Sequence, residues 1–267
     1  MQPDPIFSIN PWVLVVSSIV FFAGAAVLTR LLAHRYVPDE DKPKVLAIVG
    51  PLTPALAALF AVMVAFTVVN EAGYLRVAQS AASSEATASS RLAWAATNPG
   101  VDTVAVQDAL ADYIEVMVGP EWTKTFEDEP ILGPVERGLR RLETVTRDQA
   151  TRPGLPASVS SELLAGLDGV TMARRDRIAE ASRGIPMSYL LVLVITGLAL
   201  VVNVALLTLW GGHASLVLVG GVALVVALAL ALLVGISAPF AGPLVVDHDA
   251  LDRVLIDLQH GVFRPLG

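Results

Sequence analysis

The sequence predicts an all-α membrane protein, with four transmembrane helices arranged as two hairpins (2+2) and a soluble helical bundle between the hairpins. Three observations predict this class. The 267 residues are 54% hydrophobic with a mean hydropathy of +0.65, an excess that is typical of chains crossing a bilayer. Four apolar runs are each long enough to span a hydrocarbon core of ~30 Å. The segment between them repeats apolar residues at helical spacing, without the sustained alternation of strands.

The four apolar runs lie in pairs towards the two ends of the chain. They cover residues 11–33, 45–69, 186–210 and 214–236. The linker in the first pair is short and charged, HRYVPDEDKPK, and the linker in the second is only GGH, so each pair forms a hairpin. The first run is too long for a signal peptide and no basic region precedes it. We therefore predict a transmembrane hairpin over 1–69, a soluble domain over 70–185, a second hairpin over 186–237, and a turn with an amphipathic helix over 238–267.

The second span is predicted to continue as a single helix well beyond the bilayer, over residues 45–97. No proline interrupts the chain between Pro54 and Pro99, and the only glycine there is Gly73. At ~1.5 Å per residue this helix reaches roughly 75 Å, so about half of it must stand outside the ~30 Å of hydrocarbon. Pro51 and Pro54 should loosen its first turns, because each lacks the N–H that a helix needs.

The middle domain and the C-terminus are predicted to be helical from the i, i+3, i+4 spacing of their apolar residues. Three such sets follow one another in the middle domain: Val106, Leu110, Tyr113, Ile114 and Met117; Val135, Leu139, Leu142 and Val145; and Val159, Leu163, Leu167 and Val170. A short amphipathic helix is predicted over Asp249–Gln259, with Asp247 or Asp249 as its cap. The middle domain is therefore expected to be a helical bundle.

Composition and motifs argue against several functions. The sequence has no cysteine, which excludes disulfides and thiol chemistry, and its net charge of −7 argues against nucleic-acid binding. It contains no phosphate-binding loop, dinucleotide fingerprint or zinc-protease motif. The Asp-His-Asp triplet at 247–249 has no further ligand at a recognisable spacing. We expect no enzyme activity, no cofactor and no metal site.

Two faces of the second span are candidates for helix packing and for lining a pore. Ala57, Ala61 and Ala65 form a ridge of small residues four apart, which lets membrane helices approach closely. The pore-lining candidates are Leu59, Met63, Phe66, Asn70 and Glu71. In an oligomer, one face packs while the other lines a pore. The alternative is that an alanine-rich span packs against its neighbours and does nothing more.

Polar residues near the spans allow more than one interpretation. Glu71 either attracts cations to a pore mouth or is a solvated interfacial residue. Asn203 lies inside the third span, where a buried amide needs a partner on another helix, so it is a helix-packing candidate ahead of an ion ligand. A basic cluster before the third span is expected to contact anionic lipid headgroups or to set the topology. That cluster consists of Arg174, Arg175, Arg177 and Arg183.

Three stretches, in this order, carry a family resemblance over nearly the full length of the chain. They are YVPDEDKPKVLAIVGPLTPALAALFAVMVAFTVVNEA, RRDRIAEASRGIP, and APFAGPLVV followed by the amphipathic helix. Together they resemble the bacterial bestrophin-like family, whose function is unknown. The chain departs from the family pattern at GISAPF, where an acidic residue often precedes the Pro-Phe pair.

The resemblance implies remote kinship with bestrophins, pentameric ion channels in which the second span lines the pore. On that basis we expect a homo-oligomeric channel in a bacterial inner membrane, in contact with lipid, with the soluble domain and both termini in the cytoplasm. Residues 70–185 carry 17 acidic and 12 basic residues, a net charge of −5, which together with Glu71 favours cations. The alternative is a non-conducting scaffold or sensor whose soluble domain binds a partner or ligand.

Overall fold

All regular structure in the described part of the chain is helical. The computed structural model describes residues 11–122, 129–181, 186–209, 211–236 and 246–264, and no strand occurs among them. The helices are α1 (Pro11–Tyr36), α2 (Lys42–Ala95), α3 (Thr103–Val116), α4 (Glu129–Ala150), α5 (Ala157–Ala181), α6 (Met187–Leu207), α7 (His213–Ile236) and α8 (Asp249–Gln259). A 3-10 turn, Asp39–Asp41, precedes α2, and a π-helical turn, Met117–Glu121, follows α3. The prediction of an all-helical chain is confirmed.

The second span and its extension form one helix of 54 residues, α2, which contains Pro51 and Pro54. Four of the described helices, α1, α2, α6 and α7, are long and apolar enough to cross a membrane. The chain divides into two compact units, and the division falls inside α2 between Gly73 and Tyr74. The membrane unit holds the described residues up to 73 and from 186 to 236. The helical unit holds those from 74 to 181 and from 246 to 264.

The membrane unit has an apolar core to which all four of its helices contribute. It includes Phe22 of α1, Phe60 of α2, Leu193 of α6 and Val226 of α7. Gly197 of α6 lies among these side chains, because a Cβ there would stand 2.7 Å from a Val226 methyl and 3.2 Å from the Phe60 ring. The absence of a side chain at Gly197 therefore allows an aromatic residue from α2 to pack against α6.

The helical unit is built from the second half of α2 together with α3, α4, α5 and α8. Two glycines bring its helices close together. A Cβ at Gly138 of α4 would lie 3.4 Å from the Tyr113 Cα of α3, and one at Gly166 of α5 would lie 3.1 Å from the Leu92 Cα of α2. Because the contact at Gly166 is to a backbone atom, a side chain there would push α5 away from α2, whereas a Cβ at Gly138 would make an ordinary van der Waals contact.

The C-terminal helix α8 has the predicted bounds but a different cap residue. Its cap residue is His248, which makes no capping hydrogen bond with its side chain. Asp247 instead accepts a hydrogen bond from the backbone N–H of Asp249 at 3.0 Å. The prediction of Asp247 or Asp249 as the cap is therefore wrong by position, although the Asp247 carboxylate still bonds to an N–H at the start of the helix. The predicted turn segment between α7 and α8, SAPFAGPLVV, lies outside the described residues except for Val246.

Candidate functional site

Most of the predicted pore-lining residues are exposed together on one side of α2 in the single chain, opposite the ridge of Ala57, Ala61 and Ala65. Leu59 is 49% exposed and Phe66 is 67% exposed, and Asn70 is also exposed. Large apolar side chains at this level of exposure are unusual for a protein in water, so lipid or another protein chain must cover them, or they border a pore. This face is the candidate site.

Two of the predicted pore-lining residues lie elsewhere on α2. Met63 is half-buried and packs against the core of the membrane unit. Glu71 is only 5% exposed. Neighbouring residues on a helix are separated by about 100°, so Glu71 cannot share a face with Asn70. The exposed face therefore keeps Leu59, Phe66 and Asn70, without a carboxylate from Glu71.

The predicted packing residues are likewise divided between exposed and buried positions. Ala57, Ala61 and Ala65 are all exposed in the single chain, so none of the described helices covers their ridge. Asn203 is buried, with 7% exposure, and accepts a hydrogen bond at 2.6 Å from the Thr53 hydroxyl. This bond joins α2 to α6 beside the two prolines of α2.

In the helical unit, α2 has an exposed strip with an unusual composition. Between Arg76 and Arg91 its exposed residues carry no charge; they are Val77, Ser80, Ser83, Ser84 and Thr87. The last three hydroxyls each donate to the carbonyl four residues earlier, at 2.8–3.0 Å. Because those hydroxyl protons are already bonded, the strip can be covered by another helix at low desolvation cost. Trp94, 53% exposed, follows near the end of α2.

On the opposite face of α2, a carboxylate is held at the centre of the helical unit. Glu85 is fully buried and accepts a bond from the Nε of Arg177 on α5 at 2.6 Å and a bond from the Tyr113 hydroxyl on α3 at 2.6 Å. Burial raises the pKa of Tyr113 well above its usual range, and the charge and hydrogen bond of Glu85 raise it further. Tyr113 therefore remains a donor to Glu85 at any ordinary pH.

The same cluster holds the chain segment that leads into α8. The Arg177 guanidinium lies 5.0 Å from the centroid of the buried Trp122 ring, and the Trp122 indole N–H donates to the Val246 carbonyl at 2.8 Å. The Gln79 side chain bonds both the N–H and the carbonyl of Asp247, at 3.1 and 3.3 Å. The start of the C-terminal segment is therefore fixed to α2 and to Trp122 by three hydrogen bonds.

Sequence reasoning missed this cluster, although one signal was available. Glu71, Ala78, Glu85 and Leu92 are seven residues apart, so they lie on one face of α2, and all four are buried. A carboxylate on an apolar stripe requires a buried cation. The expectation that Arg177 contacts lipid is wrong, since its side chain is fully buried against Glu85.

The other members of that basic cluster also behave differently from the prediction. Arg174 is 8% exposed and lies 3.9 Å from Glu136 of α4, so it does not present its charge to lipid headgroups. Arg175 is exposed, and Arg183 falls outside the described residues.

For metal sites, the described residues contain no group of three or more His, Cys, Asp or Glu side chains able to hold an ion.

Comparisons with known proteins agree on one family. A model described as "Bestrophin-like domain" matches residues 20–251. A solved structure of a bacterial bestrophin homolog from Klebsiella pneumoniae, in variant form, superposes with a TM-score of 0.66 at 11% sequence identity; the match covers 92% of this chain and 99% of that one. At this identity the likeness is one of fold. No curated protein matches the sequence.

Proposed function

The chain belongs to the Bestrophin-like family and is embedded in a membrane, and from this premise we propose that it is an oligomeric ion channel in which the exposed face of α2 surrounds a shared pore. The observation that carries the proposal is the exposure of α2 in each of the two units: Leu59 and Phe66 in the membrane unit, and in the helical unit a strip of Val77 and uncharged hydroxyls that lies between Arg76 and Arg91. A monomer in lipid needs no such surface on the half of α2 beyond the bilayer. Copies of the chain around an axis would enclose it.

The two prolines of α2 give independent support. Pro51 and Pro54 supply no N–H to the carbonyls of Ala47 and Gly50, which precede them by four residues in the helix. An unpaired carbonyl facing hydrocarbon costs several kcal/mol, whereas one beside water or protein does not. Ala47, Pro51 and Pro54 are exposed in the single chain. We therefore place water or another subunit, and not lipid, against this stretch.

The rest of the proposal follows the sequence-based expectations. We propose that the four spans form two hairpins in the bacterial inner membrane. Residues 70–185 then form a cytoplasmic domain, and both termini are cytoplasmic. We also propose that the protein is not an enzyme. The net charge of −5 over residues 70–185 favours cations in a pore that this domain extends.

Labelling of single cysteines at His34→Cys and Asp168→Cys tests the orientation, since only the first should react from outside the cell.

The absence of cysteine in the wild-type chain allows a direct test of conduction. Phe66→Cys on α2 and the matched control Phe21→Cys on α1 both replace exposed phenylalanines, which are 67% and 52% exposed. We expect a water-soluble, charged thiol reagent to change the current of purified Phe66→Cys protein in planar bilayers and to leave that of Phe21→Cys unchanged.

Two outcomes would count against the channel. One is a wild-type protein that carries no current in either ion gradient. The other is a mass in detergent that corresponds to a single chain. Either result would favour the alternative, a non-conducting scaffold or sensor whose helical unit binds a partner.

A further inference from the structure

Among the described side chains of the membrane unit, one cation faces the interior of the helix bundle, Arg30 of α1. The residues of α1 that lie one or two turns away on the same stripe, Phe22, Ala26 and Ala33, are all buried, with exposures of 6% or less. Arg30 itself is partly buried. A guanidinium remains protonated in proteins, so its positive charge stays within this part of the bundle.

The hydrogen bonds of Arg30 use only one of its three nitrogens. Its Nη2 donates to the Thr208 carbonyl at 2.6 Å, to the Thr208 hydroxyl at 3.3 Å and to the Ser215 hydroxyl at 2.7 Å. These acceptors lie at the end of α6 and the start of α7, and all are neutral. The Nε atom is buried and has no hydrogen-bond partner among the described residues.

Among the described side chains, no carboxylate forms an ion pair with Arg30. The sequences of α1, α6 and α7 contain no Asp or Glu, and neither does the α6–α7 connection, TLWGG. The linker before α2 carries Asp39, Glu40 and Asp41; Asp41 pairs with Lys44 at 2.7 Å, and Glu40 is exposed. The two carboxylates of α2, Glu71 and Glu85, lie 29 and 43 residues beyond the start of that helix at Lys42. A partly buried guanidinium without a counter-ion is costly, so an anion from outside the chain would stabilise it.

The depth of Arg30 indicates which anion is available. It lies six residues before the end of α1 at Tyr36, where Tyr36 itself is 71% exposed. Exposed tyrosines at the ends of spans mark the headgroup level of a bilayer. The chain ends of α6 and α7 meet Arg30 at the same level, through Thr208 and Ser215. Lipid phosphates are the anions concentrated there.

We propose that Arg30, held by Thr208 and Ser215, binds a phosphate oxyanion at this end of the membrane unit, and that the phosphate is supplied by a membrane lipid. Nη2 fixes the guanidinium to the α6–α7 connection, and the N–H groups of Nη1 donate to the phosphate, as arginine does at oxyanion sites generally; the buried Nε does not reach it. The proposal concerns the membrane unit alone and does not depend on conduction.

The test measures the thermal unfolding of the delipidated full-length protein in detergent. Phosphatidylglycerol is titrated in one arm, diacylglycerol with the same acyl chains but no phosphate in a second, and inorganic phosphate in a third. Arg30→Gln is compared with Arg35→Gln, a matched arginine on the exposed side of the same helix. Arg30→Lys keeps the charge but loses the planar fork, and it serves if Arg30→Gln does not fold.

We expect phosphatidylglycerol to raise the melting temperature of the wild type and of Arg35→Gln above the diacylglycerol level. We expect its apparent affinity to fall by about tenfold or more in the Arg30 variants, the size of one lost charge-assisted hydrogen bond. If inorganic phosphate alone raises the melting temperature as much as phosphatidylglycerol does, the site is supported but its phosphate comes from solution. If phosphatidylglycerol and diacylglycerol act alike on the wild type, or if the Arg30 and Arg35 variants respond equally, the proposal is overturned.

Discussion

Arg177 donates from its Nε to the Glu85 carboxylate at 2.6 Å, and both side chains are fully buried. The pair joins α5 to α2, and a second hydrogen bond from Tyr113 joins α3 to the same carboxylate. Removing one partner of a buried pair leaves an uncompensated charge, which typically costs ~3–5 kcal/mol. Three helices of the helical unit therefore depend on one carboxylate.

The first prediction concerns this pair. Glu85→Gln is expected to lower the melting temperature, measured by circular dichroism in detergent, on the order of 10 °C for a loss of a few kcal/mol. Glu85→Leu combined with Arg177→Met should recover part of the loss, because it removes both charges at once. Arg140→Gln, which breaks an exposed pair with Glu136, is the control and should change little. Equal effects in Glu85→Gln and Arg140→Gln would contradict the assigned role.

The second prediction concerns Tyr113 and alkaline pH. The raised pKa of Tyr113 means that the folded protein keeps this proton at a pH where the unfolded chain, with a tyrosine pKa of ~10, releases it. The stabilising contribution is therefore complete below pH ~10 and is lost as the pH rises from there towards the folded-state pKa. The melting temperature of the wild type should fall more steeply above pH ~10 than that of Tyr113→Phe. Parallel curves for the two proteins would argue against the buried donor.

The third prediction concerns Gly197 in the core of the membrane unit. Gly197→Val places a side chain where a Cβ alone would already stand 2.7 Å from Val226 and 3.2 Å from Phe60. Overpacking of this kind costs ~1–3 kcal/mol, and Val226→Ala in the same protein should relieve part of it. Gly220→Val on α7 is the control, since a Cβ there meets no atom within 4 Å. Thermal unfolding that is no lower for Gly197→Val than for Gly220→Val would show that α6 can move aside.

The fourth prediction concerns the alanine ridge of α2. Ala61 is exposed in the single chain, so Ala61→Leu should disturb only a contact with another subunit. We expect a shift towards smaller assemblies in detergent, from the loss of close packing, at a cost of ~1–3 kcal/mol for each contact. Light scattering coupled to size-exclusion chromatography measures the mass. An unchanged assembly would place this ridge against lipid.

The fifth prediction concerns ion preference. Glu71 is 5% exposed, whereas Arg76 and Arg91 are exposed on α2. If α2 surrounds a pore as proposed, charges on its exposed face act on the ions more strongly than a buried charge does. Arg91→Glu should therefore increase the preference for cations, by more than Glu71→Gln decreases it, in reversal-potential measurements on planar bilayers. Both changes should shrink at 1 M salt, where the Debye length is ~3 Å. A larger effect of Glu71→Gln would mean that Glu71, and not Arg91, faces the ions.

Much of the fold could be predicted because it follows from local pattern. The apolar runs, the single uninterrupted helix through Gly73, and the bounds of α8 at Asp249 and Gln259 all depend on residues near each other in sequence. The helical period also places Glu71 and Glu85 on one face of α2. The prediction of Glu71 as a pore-lining residue did not take this into account.

The sequence by itself determined the class of the protein, where its helices lie along the chain and which residues α2 contains. Only the tertiary structure decided which arginine meets which carboxylate, because Glu85 and Arg177 are 92 residues apart and no local pattern relates them. It likewise decided that Arg177 is buried, and that Arg30 meets the α6–α7 connection without a carboxylate. The physical reason is that the energy of a charge depends on its surroundings, and those surroundings come from distant parts of the chain.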